Sequence, residues 1–160
     1  MHLKTVVALT LLTALTALGS GCSQEPAPPA PTFSTAPLID PNTASEAMLS
    51  AAPGLGSEQI VAIIEGRPFA TPTELHAVLS ASLSEEALRG IYSVMFIKVG
   101  LNSGAEADYK LIPSSLAPGK LAHEFEEYRP FESIDQFREE MSKYVSDEEV
   151  AHLARYVTLD

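Results

Sequence analysis

Cysteine and positive charge are what this chain has least of, and each shortage removes a class of protein. A single cysteine, Cys22, stands in 160 residues, so no disulfide can close within one chain and no second thiolate can join a metal site. Ten Lys and Arg face 21 Asp and Glu, a formal net charge of −11. A phosphate backbone is repelled by that total unless the few cations gather on one face. Catalytic punctuation is missing too: no nucleophile elbow, phosphate loop or paired-carboxylate motif surrounds the available Ser, His and acidic residues. His123 and Glu127 lie four apart, but the zinc pattern HExxH fails because glutamate occupies position 127. Together with His152 and Glu124 they read as solvated helix faces. No metal, cofactor or enzymatic activity is expected.

What is present begins with an export signal. Lys4 supplies a minimal positive region, Thr5 to Leu18 is apolar, and Gly19, Ser20 and Gly21 lead into Cys22. The apolar run is too short to span a bilayer. Cys22 after a small-residue triplet looks like a lipobox, in which the cysteine is lipidated and becomes the first mature residue. Gly19 stands where that pattern has leucine, and ordinary cleavage after Gly19 is the alternative. The expected division is a lipoprotein-type signal over 1–21, a Pro-rich tether over 22–38, and two units over 39–99 and 100–160. The tether, EPAPPAPTFSTAP from Glu25 to Pro37, is too rich in proline to pack.

The stretch PGLGSEQIVAII, Pro53 to Ile64, organises the remainder. Gly54 and Gly56 bracket Leu55 in a turn that calls for positive φ or close backbone approach, and an apolar run opening at Ser57 starts a helix. Comparing the chain with itself shows a duplication. At a shift of 60, Asn42 to Ala47 falls on Asn102 to Ala107 and Pro53 on Pro113. Past the hairpin the shift is 62, where Arg67-Pro68-Phe69 falls on Arg129-Pro130-Phe131 and Ser84-Glu85-Glu86 on Ser146-Asp147-Glu148. A unit of about 60 residues, repeated with two extra residues in its second hairpin, follows.

Each unit carries the same helix starts. Thr43 with Glu46, Ser103 with Glu106, Thr71 with Glu74 and Ser133 with Gln136 are spaced as capping boxes, and Pro72 suits a first helical position. Four short helices per unit are expected, in an all-α fold. The last helix of each buries Leu88, Ile91, Tyr92 and Met95, or Val150, Leu153, Ala154 and Val157, at the spacing of one helical face. Phe69 and Phe131 are expected as core anchors beneath the Arg-Pro turns. Val94 to Val99, reading VMFIKV, is either a short strand or a buried extended linker.

Pro-Gly-Leu-Gly between two helices resembles the helix-hairpin-helix family, over about 25 residues. That resemblance implies backbone N–H groups offered to a nucleic-acid phosphate at a helix N-terminus, with a cation beside them. The residues that would make such a contact, with phosphate or with a partner, are Gly54, Leu55, Gly56, Ser57, Lys120, Arg67 and Arg129. Behind an export signal, the pairing of these hairpins with Asn-Thr-Ala openings is similar to the extracytoplasmic DNA-receptor family of bacterial competence, and HEFEEYRPF with SIDQF and KYV to its duplicated exported relatives. The small extrinsic photosystem II subunit, a further fold relative, uses a similar module against protein.

Local chemistry qualifies the DNA expectation. Glu58 occupies the first turn of the helix that a phosphate would approach, and the second hairpin, PSSLAPGK, has Lys120 but has lost Gly-Leu-Gly. Residues 39–99 hold three cations and seven carboxylates, and residues 100–160 hold six and thirteen, whereas a DNA face is usually the most basic part of a domain. Tyr109, Tyr128, Tyr144 and Tyr156 read as packing groups at helix ends. Arg67 and Arg129 read as paired with Glu65 or Glu127 or with helix carbonyls. The expectation is an exported, non-enzymatic binding module, membrane-anchored outside the cytoplasm through lipid at Cys22, whose partner is an envelope protein. The alternative is weak non-specific duplex DNA binding through the backbone of the first hairpin.

Overall fold

A computed structural model of the chain describes residues 33–160. The signal, Cys22 and the greater part of the tether lie outside the described residues. The fold is all-α: eight helices and one two-stranded parallel pair make up the regular structure of the described residues. None of these helices is long and apolar enough to cross a membrane.

The first four helices are α1 (Glu46–Leu49), α2 (Ser57–Gly66), α3 (Pro72–Leu79) and α4 (Glu85–Tyr92), and the next four are α5 (Glu106–Tyr109), α6 (Pro118–Glu127), α7 (Ile134–Met141) and α8 (Asp147–Leu153). Hydroxyl caps set most of the starts. Thr71 Oγ1 accepts from the Glu74 amide while the Glu74 carboxylate takes the Ala70 N–H at 2.6 Å, and Ser133 and Gln136 repeat the device, with Glu132 N–H on Gln136 Oε1 at 2.7 Å. Ser84 and Ser146 cap α4 and α8 in the same manner.

The capping boxes expected at Thr43 and Ser103 do not form. Thr43 Oγ1 instead donates to Asp40 Oδ2 at 3.0 Å, and the one-turn helix begins two residues later, on Ser45. Its counterpart α5 starts on Ala105, which has no side chain to cap it. In both places a turn intervenes between the polar opening and the helix, so the carboxylate falls one residue into the helix rather than at its third position.

VMFIKV is for the most part the extended linker of the two alternatives, with a bridge at Met95 and the start of a strand at Val99. Met95 forms an isolated parallel bridge with Ile39, sealed by Ile39 N–H to Val94 O at 2.8 Å and Phe96 N–H to Ile39 O at 3.1 Å. Two residues after Ile97, β1 (Val99–Gly100) pairs in parallel with β2 (Val157–Thr158), Val99 opposite Val157. Each group of four helices is thereby closed by hydrogen bonds between its opening and closing segments, across 56 and 58 residues of sequence.

The core runs through both groups. Leu49, Ile63, Leu75, Leu79, Leu88, Ile91 and Met95 are buried in the first, and Tyr109, Leu121, Phe125, Phe137, Met141, Leu153 and Tyr156 in the second. The faces expected of α4 and α8 are the buried ones, although both helices stop before Met95 and Val157, and Ala154 is only half-buried. Tyr109, Phe125, Phe137 and Phe131 pack edge-to-face at 5.0–5.7 Å. Among the contacts that join the groups, Tyr92, Phe96 and Tyr156 stack edge-to-face, with the Tyr156 hydroxyl donating to Tyr92 O at 3.1 Å, and the buried carboxylate of Asp108 accepts from the Thr73 amide (3.1 Å) and hydroxyl (2.5 Å) in the first turn of α3.

The Arg-Pro-Phe corners are built alike. Both Arg–Pro bonds are cis, and Phe69 and Phe131 lie buried beneath them, as expected. The amide side chain of Asn42 makes a two-way clasp on the Phe69 backbone, accepting its N–H at 2.8 Å and donating to its carbonyl at 2.9 Å; Asn102 does the same to Phe131 at 2.7 and 3.1 Å.

Candidate functional site

The turn between α1 and α2 has the positive φ that the Gly-Leu-Gly stretch called for. Gly54 has φ of +79°, the left-handed region that an L side chain enters only at a cost, and it is the sole residue with positive φ among those described. Leu55 is tucked in at 9 % exposure, with its N–H on Ala52 O at 3.3 Å. Gly56 is different from what the sequence suggested. Its φ of −87° and ψ of 170° are ordinary extended backbone at the N-cap of α2, and a Cβ there would meet only the Gln59 Oε1 atom, at 2.8 Å, the movable end of a side chain. One glycine, not two, is required by the geometry.

At the start of α2 no side chain caps the free amides, Ser57 and Glu58 are exposed, and Glu58 is the acidic residue of the first turn. A carboxylate there favours the helix dipole and opposes a polyanion. The cations that sequence reasoning placed beside this turn are not presented to a ligand. Arg67 Nε and Nη2 donate to the carbonyls of Pro41 (2.6 Å) and Ala44 (2.7 Å). Arg129 does likewise to Leu101 (2.8 Å) and Gly104 (2.6 Å), and also reaches the Tyr109 hydroxyl at 2.5 Å. Their partners are loop carbonyls ahead of α1 and α5, not Glu65 or Glu127; the one nearby carboxylate is Glu126, at 3.9 Å from Arg129. Both arginines are struts that pin the opening of a unit to its Arg-Pro corner.

The second hairpin is occupied from within. Glu149, in the first turn of α8 and 2 % exposed, receives Ser114 Oγ (2.6 Å) and Ser115 N–H (2.7 Å) on Oε1 and Ser115 Oγ (2.6 Å) on Oε2. These are donors of the type that would hold an oxyanion. Lys120 is exposed and lies over the Tyr144 ring at 5.4 Å, not beside those donors.

Next to Glu149, His152 is buried, against the expectation of a solvated residue. Its Nε2 faces Pro113 O at 3.2 Å, and its Nδ1 lies 2.8 Å from Arg155 Nη2 and 3.2 Å from Ser34 O. Burial is the main cause holding its pKa below the usual histidine value, and the Arg155 charge adds to it. Phe33 packs on its ring at 5.0 Å, and Arg155 donates to Ala36 O, so the last residues of the tether are fastened to α8.

Glu124 also departs from the expected solvated face: it is 5 % exposed, and its Oε2 has no hydrogen-bond partner among the described residues. Beside it the Tyr128 and Tyr144 hydroxyls lie 2.6 Å apart, and the Tyr144 proton is held more tightly than in a free phenol, by Tyr128 first and Glu124 second. His123 and Glu127 do lie in the open, 3.4 Å apart. Tyr109 and Tyr156 are fully buried and Tyr128 and Tyr144 half-buried, so none of the four forms an open stacking platform. Among the described residues no cluster of three or more His, Cys, Asp or Glu is placed to hold a metal ion.

Sequence reasoning missed Glu149, which follows Asp147 and Glu148 in an acidic run. The available signal was the internal comparison, because at a shift of 62 Glu149 falls on Ala87. An acid on one side and an apolar residue on the other marks a position with a private role.

Comparison with protein-family models, with curated proteins and with solved structures gave no match.

Proposed function

We propose that the chain is an exported, non-enzymatic helix-hairpin-helix module, made of two degenerate copies of one unit of about 60 residues, which binds a protein at the cell envelope and is held there by lipid on Cys22. The observation that carries this reading is that a carboxylate of the chain's own stands at each of the two turns, free at the first and bonded at the second. Glu58 stands exposed at the open start of α2, and Glu149 fills the donors of the second hairpin. The arginines that would neutralise a phosphate are committed to backbone carbonyls. A net charge of −11 opposes a polyanion over the whole surface and leaves protein contacts open.

The alternative, weak non-specific duplex binding at the first hairpin, draws on the positive φ of Gly54 and the uncapped amides of α2. Fluorescence anisotropy with labelled duplex DNA at about 20 mM salt, where non-specific contacts are strongest, separates the two. The protein-binding reading expects no saturable signal. Saturable binding that weakens steeply with salt and is lost in Gly54→Val would replace it with the DNA reading.

A further inference from the structure

Four large apolar side chains stand exposed among the described residues, and three of them, Met48, Val61 and Ile64, lie on α1 and α2. Val61 and Ile64 are three apart and share a face of α2, flanked along the helix by exposed Glu58 and Glu65. Glu46 adds a third exposed carboxylate on α1, and neither helix contains a cation. Arg67, directly after α2, is turned to the backbone.

The second group of helices shows what this face would be if it were ordinary surface. At the sequence shifts of 60 and 62, Met48 falls on Asp108, Val61 on His123 and Ile64 on Glu126. His123 and Glu126 are exposed polar residues, and Asp108 is covered by α3 through Thr73. The counterpart face is thus polar where open and packed where covered. The outer face of α2 is apolar and open, with Val61 51 % and Ile64 39 % exposed, and Met48 on α1 is 51 % exposed as well.

We infer that the exposed face of α2 is a docking surface for a cationic amphipathic helix of a partner protein. Its apolar stripe packs on Val61 and Ile64, and its Lys or Arg residues meet Glu58 and Glu65. Apolar exposure sets the location, and the one-signed rim sets the partner's charge. A second copy of this chain would bring the same two carboxylates against each other, which excludes a symmetric pairing through this face. This inference rests on the protein-binding reading above and gives it a surface and a partner chemistry.

The test is titration of the full chain with a fluorescent 18-residue Lys/Leu amphipathic peptide and, separately, its Glu/Leu counterpart. The Lys/Leu peptide should bind, and the Glu/Leu peptide should not. Val61→Asp/Ile64→Asp should weaken binding at least tenfold, and Glu58→Gln/Glu65→Gln should weaken it and flatten its salt dependence. Glu139→Gln/Glu148→Gln, the same charge change on exposed positions of α7 and α8, should leave the affinity within about twofold. The substituted positions are exposed, so circular dichroism should give unchanged spectra and melts. Equal weakening by both charge pairs, or no effect of Val61→Asp/Ile64→Asp, would overturn the inference by showing a diffuse attraction to the acidic surface. Absence of peptide binding would overturn it too, yet leave the protein-binding reading standing. That reading falls only to saturable duplex binding in the anisotropy assay.

Discussion

Replacing Glu149 should expose how much of the second hairpin is held by one carboxylate. In Glu149→Ala three donors lose their acceptor: the hydroxyls of Ser114 and Ser115 and the Ser115 backbone N–H. The hydroxyls can rotate toward water or a carbonyl, whereas the amide is fixed by the chain; Ser115 is itself exposed, so water replaces part of that bond and its loss costs about 1 kcal/mol. Losing the two charge-assisted hydroxyl bonds adds to this, while relief from burying the carboxylate offsets part of it. The net cost should be about 3 kcal/mol, which for a domain of this size is a fall of about 10 °C in Tm. Glu149→Gln keeps one acceptor oxygen, and its NH2 can donate to a reoriented serine hydroxyl, so its cost should be less than half as large. Thermal melts by circular dichroism at pH 7 give both values, and amide exchange gives the location, since the Ser115 N–H should exchange at least tenfold faster in Glu149→Ala. A melt within about 2 °C of wild type, with Ser115 exchange unchanged, would refute the claim that Glu149 holds the hairpin.

Two further outcomes follow from the geometry. Gly54→Ala should cost about 1–2 kcal/mol because it places a Cβ at φ +79°, whereas Gly56→Ser, on extended backbone with only the Gln59 amide to displace, should stay within about 0.5 kcal/mol in denaturant melts. For His152 the native pKa lies below the unfolded value, so the unfolded chain takes up the proton first: its contribution to stability is complete above about pH 6.5 and falls as the pH drops through that value, levelling off below the native pKa. His152→Gln removes this contribution, and its stability between pH 7 and pH 5 should decline less steeply than that of wild type, a difference that urea melts across that range would read.

The helices were legible because their signals are local. Thr71, Ser84, Ser133 and Ser146 sit three residues before the amides they accept from, and the spacing of Leu88, Ile91 and Tyr92 marks one face. The corners were legible through the internal match of Arg-Pro-Phe, which located Phe69 and Phe131 in the core. The openings at Thr43 and Ser103 misled because a capping box and a turn-forming Asx or Ser/Thr motif use the same residue types, and Asp40, outside the box pattern, takes the Thr43 hydroxyl. Charged partners were the least legible. Asp108 and Glu149 find their donors about 35 residues away in sequence, and no spacing rule distinguishes them from the solvated acids beside them. The same holds for Arg67 and Arg129, whose carbonyl partners are set by the docking of two loops rather than by neighbours along a helix.

The acidic excess therefore has two physical meanings, and only one concerns a ligand. Asp108 and Glu149 are interior anions: each answers fixed amide and hydroxyl donors, one tying α3 to α5 and the other tying the second hairpin to α8, so their charge contributes to the fold without facing a partner. Glu46, Glu58 and Glu65 have no such duty. Among the described residues they make no ion pair or side-chain hydrogen bond, and Glu58 and Glu65 share α2 with Val61 and Ile64, whose apolar groups are left in water. A buried anion with all its bonds made is silent toward solvent, whereas an exposed one beside unburied methyl groups directs what can approach. Glu149 lies inside and Glu58 outside, and that difference is why the exposed side of α2, not the turn at Ser114 and Ser115, is the surface on which binding should be sought.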